Sequence, residues 1–250
     1  MRPILFELGP LKVWSYGFML MLGFAAGIGW GFWKAPRLKL ERERVLDLGL
    51  YVLLAALLGA RLVYVMLHLG EYDSLSSLFM VWEGGLSFHG GFFGGLLVAW
   101  AYTRITKTSF LDYADLLAPG IALGTAFARI GCALNGCCHG GPSEAWCAIP
   151  TRFLDGEHTV PTQLMELVGC LLLFFLLWRL VDHRRFKAQV FLAYVMGYAV
   201  VRGSVEYWRA GFTADFFLGP LTQAQALSLV LFLIAIVPYL MLSRKARREA

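Results

Sequence analysis

Apolar and polar residues fall in long alternating blocks along this chain. Predominantly apolar runs cover about residues 13–33, 45–68, 86–103, 112–134, 161–180, 188–208 and 222–243, and short charged or Gly/Pro-rich stretches separate them. Each run is near the ~20 residues that a helix needs to cross the hydrocarbon core of a bilayer. The pattern therefore predicts an all-α, polytopic membrane protein with seven transmembrane helices, organised as a single integral membrane domain over residues 1–250. The first run is too long for the h-region of a secretory signal, about 7–15 residues, and no A-x-A cleavage pattern follows it, so it reads as a retained span.

Composition strengthens this picture. With 250 residues, 58% hydrophobic and 16% charged, the chain has too little polar surface to coat a soluble globule. No hydrophilic stretch exceeds roughly 25 residues, short of the ~50 at the lower end of domain sizes, which excludes a separate soluble domain. Any chemistry belongs in the bilayer or at its face.

Charge then sets orientation. Lys34, Arg37, Lys39, Arg42 and Arg44 follow the first run, and Arg104 and Lys107 follow the third. Arg179, Arg184, Arg185 and Lys187 follow the fifth, and Arg244, Lys245, Arg247 and Arg248 close the chain, so fifteen of the 22 basic residues occupy alternate loops. The opposite loops hold Arg2, Lys12, Arg152 and Arg209. The positive-inside rule places the N-terminus outside and the C-terminus in the cytoplasm. Cytoplasmic loops facing anionic lipid account for the net charge of +5, with no nucleic-acid partner. Trp14, Trp30, Trp33, Trp82, Trp100, Trp178 and Trp208 fall near run ends, where interfacial belts form.

Glycines spaced by four (Gly23, Gly27 and Gly31; Gly91 and Gly95) mark helix faces where another backbone approaches closely. Two outer connections are long: 69–85, whose SLSSLFMVW suits the membrane interface, and 135–160, rich in Gly, Pro and Cys.

Candidate chemistry begins with misplaced charges. Arg61, Arg129 and Arg202 lie inside apolar runs, and each costs about 2.5–3.5 kcal/mol at a helix centre on an insertion scale. Glu166 and Glu206 are the acids at comparable positions, so one positive charge is left over. Tyr198, Arg202, Glu206 and Arg209, at i, i+4, i+8 and i+11, share one helix face spanning roughly 80°, a polar stripe pointing outward. Arg202 and Glu206 form either a self-satisfied i,i+4 pair or part of a site for an anion such as a lipid phosphate. His89, among glycines in GGLSFHGGFFGG, is either a structural hydrogen bonder or a general base. Cys132, Cys137, Cys138 and Cys147 cluster outside, and Cys170 stands alone. Their spacing fits no zinc frame, so no metal and no other cofactor is expected; a disulfide from Cys137 or Cys138 to Cys147, or plain packing, are the readings left open.

These residues fall in motifs: W-x-Y-G at Trp14–Gly17, G-A-R-L-V-Y at Gly59–Tyr64, and G-G-L-S-F-H-G-G at Gly84–Gly91. A-R-I-G-C-A-L-N-G-C-C-H-G at Ala128–Gly140, P-T-Q-L-M-E at Pro161–Glu166 and Y-x3-R-x3-E-Y-x-R at Tyr198–Arg209 follow in order. In this the chain resembles, nearly end to end, the prolipoprotein diacylglyceryl transferases of bacterial inner membranes. The resemblance implies transfer of a diacylglyceryl group from phosphatidylglycerol to the lipobox cysteine of a preprolipoprotein, with release of glycerol phosphate, at the periplasmic or exterior face. It implies His89 as candidate base and Arg129 and Arg202 as the phosphate clamp. Tyr16, Arg61, Asn135, Gly140, Tyr198, Glu206 and Arg209 complete the expected substrate site. The chain departs from many relatives at Cys132 and Cys137, where they carry asparagine and glutamate, and at Val160, where a histidine is common. From other classes, a transporter or lipid-binding channel and a metal or thiol redox protein are the rival readings.

Overall fold

The computed structural model describes residues 2–8, 11–69, 84–151, 156–210, 216–218 and 221–248. Among them are seven α-helices: α1 (Ser15–Lys34), α2 (Arg42–Leu67), α3 (Phe88–Ile105), α4 (Phe110–Asn135), α5 (Thr162–Asp182), α6 (Gln189–Val205) and α7 (Gln223–Arg248). Three small antiparallel hairpins pair β1 (Ile4–Leu8) with β2 (Leu11–Trp14), β3 (Ile149–Pro150) with β4 (His158–Thr159), and β5 (Phe216–Leu218) with β6 (Leu221–Thr222).

Each apolar run is occupied by one helix. Five segments are long and apolar enough to cross a membrane: Ser15–Leu38, Arg42–Leu67, Phe110–Asn135, Thr162–Asp182 and Gln223–Arg248. The other two fall short for physical reasons, since α6 has only 17 residues and the 18 of α3 include His89, Arg104 and four glycines. The chain is a helical membrane protein. Leu58, Leu62, Met66 and Leu67 of α2 are all more than 60% exposed, an apolar surface that lipid would cover. The SLSSLFMVW segment with Trp82, and Arg152, lie outside the described residues.

Internal contacts group the chain into two compact units, residues 1–31 with 114–250, and residues 32–113. In the first unit, Trp30 packs with Ala118, Ala122, Leu173, Phe174, Leu177, Val181 and Val190. Its indole N–H donates to the Leu116 carbonyl at 3.0 Å. Trp30 is thus a buried core anchor rather than an interfacial tryptophan. Gly23 and Gly27 of α1 meet Gly124 and Gly120 of α4 backbone to backbone: a Cβ on Gly23 would lie 2.7 Å from the Gly124 carbonyl oxygen. The β1–β2 hairpin is tied to the end of α4, where the Arg2 N–H donates to the Leu134 carbonyl, one of the acceptors that a helix end leaves open. Buried Asp115 of α4 accepts from the Phe191 N–H at 2.8 Å and from Arg184 Nη1 at 2.9 Å, and so caps α6 from a neighbouring helix.

In the second unit, α2 packs on α3 through a glycine contact one residue out of phase with the expected one. Gly90 and Gly94 take the tightest positions, against Gly59 and Ala55, while Gly91 and Gly95 make looser contacts with Ala56 and Val52. A Cβ on Gly59 would sit 2.4 Å from the Gly90 carbonyl oxygen, whereas one on Gly29 of α1 would meet nothing within 4 Å. Gly59→Ala is therefore expected to cost about 1–3 kcal/mol by forcing α2 and α3 apart. Gly29→Ala is expected to be neutral or stabilising by up to about 1 kcal/mol through helix propensity. Thermal unfolding of both variants in detergent checks the contrast, and equal shifts would refute it.

Candidate functional site

Glu166 of α5, fully buried, gathers donors from three other parts of the chain. Its Oε1 accepts from Arg129 Nη2 at 2.7 Å and from the Tyr198 hydroxyl at 3.0 Å, and its Oε2 accepts from Arg209 Nη2 at 2.7 Å. Arg202 Nη1 donates to Glu206 Oε2, and Arg209 Nε lies 3.2 Å from the same oxygen. Three arginines and two glutamates thus form one network with one formal positive charge left over (3 − 2). Charge-assisted bonds of this length make a buried ion cluster tolerable where isolated charges would not be.

The continuous-helix arc expected for Tyr198, Arg202, Glu206 and Arg209 is not what joins them. α6 ends at Val205, Glu206–Trp208 form a 3-10 turn, and Arg209 is extended (φ −75°, ψ 146°). Arg209 reaches the network because its backbone pairs in an antiparallel bridge with Gly140. The Gly141 N–H donates to the Trp208 carbonyl and the Ala210 N–H to the His139 carbonyl. A Cβ on Gly140 would lie 2.5 Å from the Trp208 oxygen and 2.7 Å from Val160 Cβ, so only glycine lets these strands close. Arg61 likewise is not part of this network; its Nη1 donates to the carbonyls of Gly84 (2.8 Å) and Gly85 (3.2 Å). Both glycines have positive φ, and a side chain on Gly85 would clash with Tyr64 and Arg61 itself. The Gly59–Tyr64 and Gly84–Gly91 motifs therefore interlock as one structural piece.

The cysteine-rich stretch is a helix cap. Gly136 (φ +82°) ends α4 in the left-handed conformation, and the Gly136 and Cys137 N–H groups both donate to the Cys132 carbonyl. Such a cap brings the residue after the glycine against the one five positions earlier. Here both are cysteines. A second left-handed residue, Cys138 (φ +61°), turns its own thiol inward, and the sulfurs of Cys132, Cys137 and Cys138 all lie within 4.8 Å of one another. Linear spacing hid this convergence. Buried side chains pin the turn by its carbonyls: Thr151 Oγ1 donates to Gly136, Gln163 Nε2 to Cys137 and Thr162 Oγ1 to Cys138, at 2.7–2.9 Å. Arg129 Nη1 donates to Cys132 Sγ at 3.8 Å, joining the thiols to the charge network. The Cys138 thiol is held below its ordinary range by hydrogen bonds from Cys132 and Cys137, and then by the Arg129 and Arg209 charges, against the opposing effect of burial. All five cysteines are free and Cys147 is exposed, so of the two readings left open the disulfide to Cys147 is not formed.

Across residues 3–241 the chain matches the family model described as prolipoprotein diacylglyceryl transferase. The chain belongs to this family. Relatives named phosphatidylglycerol--prolipoprotein diacylglyceryl transferase include one from Legionella pneumophila, 34% identical over 247 residues with 94% of each chain covered. A relative of that name from Dehalococcoides mccartyi is 32% identical over 254 residues, covering 99% of this chain and 96% of its own. One from Clostridium botulinum is 30% identical over 256 residues, covering 99% and 100%.

Of the candidate site residues read from the sequence, Arg129, Tyr198, Arg202, Glu206 and Arg209 join directly in the Glu166 network. Asn135 ends α4, beside the Cys137 thiol. Tyr16, in the first turn of α1, packs over Gly131 of α4. Arg61 and His89 belong to the second unit, where His89 is exposed in the first turn of α3 with its ring edge-on to Phe88. Glu166 was recognisable as a charge partner but not as the centre of the site. Thr151, Thr162 and Gln163 were missed, and only the fold reveals that they hold the cysteine turn.

Proposed function

We propose that this chain is the transferase that moves the diacylglyceryl group of phosphatidylglycerol onto the lipobox cysteine thiol of preprolipoproteins, the first step of bacterial lipoprotein maturation, releasing glycerol phosphate. It does so as a single domain of seven spans in the bacterial plasma (inner) membrane. The alternate-loop basic residues support an N-terminus outside, a cytoplasmic C-terminus and an active face toward the periplasm or exterior. The observation that carries the reading is the buried network of three arginines and two glutamates. Its surplus charge suits a phosphate, and it lies in a chain that belongs to this family along nearly its whole length.

The chemistry fits these residue types. The cysteine sulfur attacks an sp3 glycerol carbon, a C–S bond forms, the C–O bond to phosphate breaks, and the electron pair leaves on the phosphate oxygen. No oxyanion hole is required, because no tetrahedral carbonyl intermediate forms. What must be stabilised is the departing phosphate, and guanidinium groups do this with planar, bidentate donors. Arg129 and Arg202 are the proposed clamp, with Tyr198 and Glu166 fixing Arg129. A thiol with pKa near 8.5 is only a few per cent ionised at pH 7, so removal of its proton, with His89 as the proposed base, gains at most about 2 kcal/mol.

Purified protein in phosphatidylglycerol vesicles, given a peptide with a lipobox cysteine, is expected to yield a thioether-linked diacylglyceryl peptide by mass spectrometry. A serine-for-cysteine peptide is expected to yield none. Lipid movement across the vesicle with no peptide product would favour a transporter and remove the transferase reading.

A further inference from the structure

We propose that Cys132, Cys137 and Cys138 hold a zinc ion whose fourth position accepts the sulfur of the incoming lipobox cysteine. The inference rests on the transferase reading above and adds, beside the base already proposed there, a metal that would lower the pKa of the substrate thiol.

The geometry is close to what such an ion needs. Zinc–sulfur bonds of about 2.3 Å in a tetrahedral arrangement place sulfurs roughly 3.8 Å apart. The three thiols already lie within 4.8 Å of one another, so side-chain rotation of less than about 1 Å per pair closes the site. The backbone beneath them is fixed by the left-handed cap at Gly136 and by Thr151, Gln163 and Thr162 on three successive carbonyls. Preorganised ligands of this kind spare the ion the cost of ordering a loop.

The surroundings suit an anionic centre. A zinc tris-thiolate carries one formal negative charge (2 − 3). Arg129 already donates to Cys132 Sγ, and Arg209 is near enough to act on Cys138. N–H donors to ligating sulfur are the usual outer support of such sites. Tyr16 of α1 and Asn135 of α4 lie near the thiols. The next residue, His139, does not complete the coordination: its Nδ1 lies 2.9 Å from the Gly140 carbonyl, and among the described residues only the three cysteine sulfurs come within 4.8 Å of one another. Among the described residues the cluster therefore offers three ligands and one open position, the pattern of a catalytic rather than a structural zinc. Cys137 and Cys138 are only half-buried, which leaves that position approachable.

The chemistry gives the open position a use. A thiol that coordinates zinc loses its proton, here to water or a base, and the bound thiolate remains a nucleophile. Its sulfur attacks the glycerol carbon, the C–S bond forms, and the C–O bond breaks with its electron pair leaving on glycerol phosphate. The product thioether is a neutral, weak ligand and dissociates, reopening the site. Zinc suits the step because it is a Lewis acid without redox chemistry.

The test uses full-length protein purified without chelator. One zinc per chain is expected by elemental mass spectrometry, with less than half of that in C132S and in C138S. In cobalt-substituted protein the sulfur-to-metal charge-transfer band is expected to change on adding a cysteine lipobox peptide and not a serine one. Chelation is expected to slow transfer roughly thirtyfold at pH 7 but little at about pH 9, where the free thiol ionises unaided, and zinc is expected to restore the rate. Full transfer activity in metal-free protein would overturn the zinc site and leave the transferase reading intact. Bound zinc with no effect of peptide on the cobalt spectrum would also overturn it, as a metal held without a substrate position. Absence of any thioether product from both zinc-loaded and chelated protein would instead remove the transferase reading.

Discussion

Glu166→Gln is expected to lower transfer by at least two orders of magnitude and to reduce the thermal stability of the protein measurably. Both carboxylate oxygens are committed, Oε1 to Arg129 and Tyr198 and Oε2 to Arg209, and the side chain is fully buried. Glutamine has the same shape but replaces one acceptor with an NH2 group, which would face a guanidinium donor. The network would also pass from one surplus positive charge to two (3 − 1). Removing one partner of a buried ion pair typically costs about 3–5 kcal/mol, because the remaining charge is left without compensation. That is a large part of a total folding stability of about 5–15 kcal/mol. The double change Glu166→Gln with Arg209→Gln restores the original charge balance, so it is expected to regain stability without regaining activity. Unfolding temperatures and initial rates of the wild type, the single and the double variant decide this. A single variant that matches wild type in both would show that Arg129 and Arg209 do not depend on Glu166.

The parts of the molecule that could be read from sequence share a physical property: they are set by local composition. A long apolar run with few charges is best satisfied as a helix, so the seven described helices were legible and even their ends came close to those observed, although only five are long and apolar enough to cross a membrane. Arginine within such a run is anomalous wherever the helix packs, which is why Arg129 and Arg202 stood out. What escaped depends on how separate helices meet. Nothing local to Pro161–Glu166 says that Gln163 and Thr162 hold the carbonyls of a turn some 25 positions earlier, or that Glu166 will face both Arg129 and Arg209. The phase of the glycine contact in α3 was missed for the same reason, since Gly90, Gly91, Gly94 and Gly95 supply two adjacent rows and only the partner helix selects one. The thiol cluster shows a different failure. Counting residues between cysteines assumes a regular chain, and two left-handed residues, Gly136 and Cys138, fold the count away.

Arg202→Lys tests the proposed phosphate clamp more directly than any deletion, because it keeps the charge and removes only the fork. One arm of the Arg202 guanidinium, Nη1, is bound to Glu206, and its remaining N–H groups have no protein acceptor among the described residues. The side chain is 15% exposed, so these donors border accessible space. A lysine ammonium can replace the bond to Glu206 but then presents no second, coplanar donor to a phosphate. The interaction strengthens as negative charge builds on the leaving phosphate, so its loss is expected in the chemical step more than in lipid binding. Removing one such donor typically costs about 10²–10³ in kcat. The expected result is a fall in kcat of that order, with KM for phosphatidylglycerol changed severalfold at most and the unfolding temperature near that of wild type. If instead KM rises and kcat holds, Arg202 binds the headgroup without stabilising its departure. If both stay within twofold of wild type, Arg202 is a structural partner of Glu206, and the clamp must be sought at Arg129 alone.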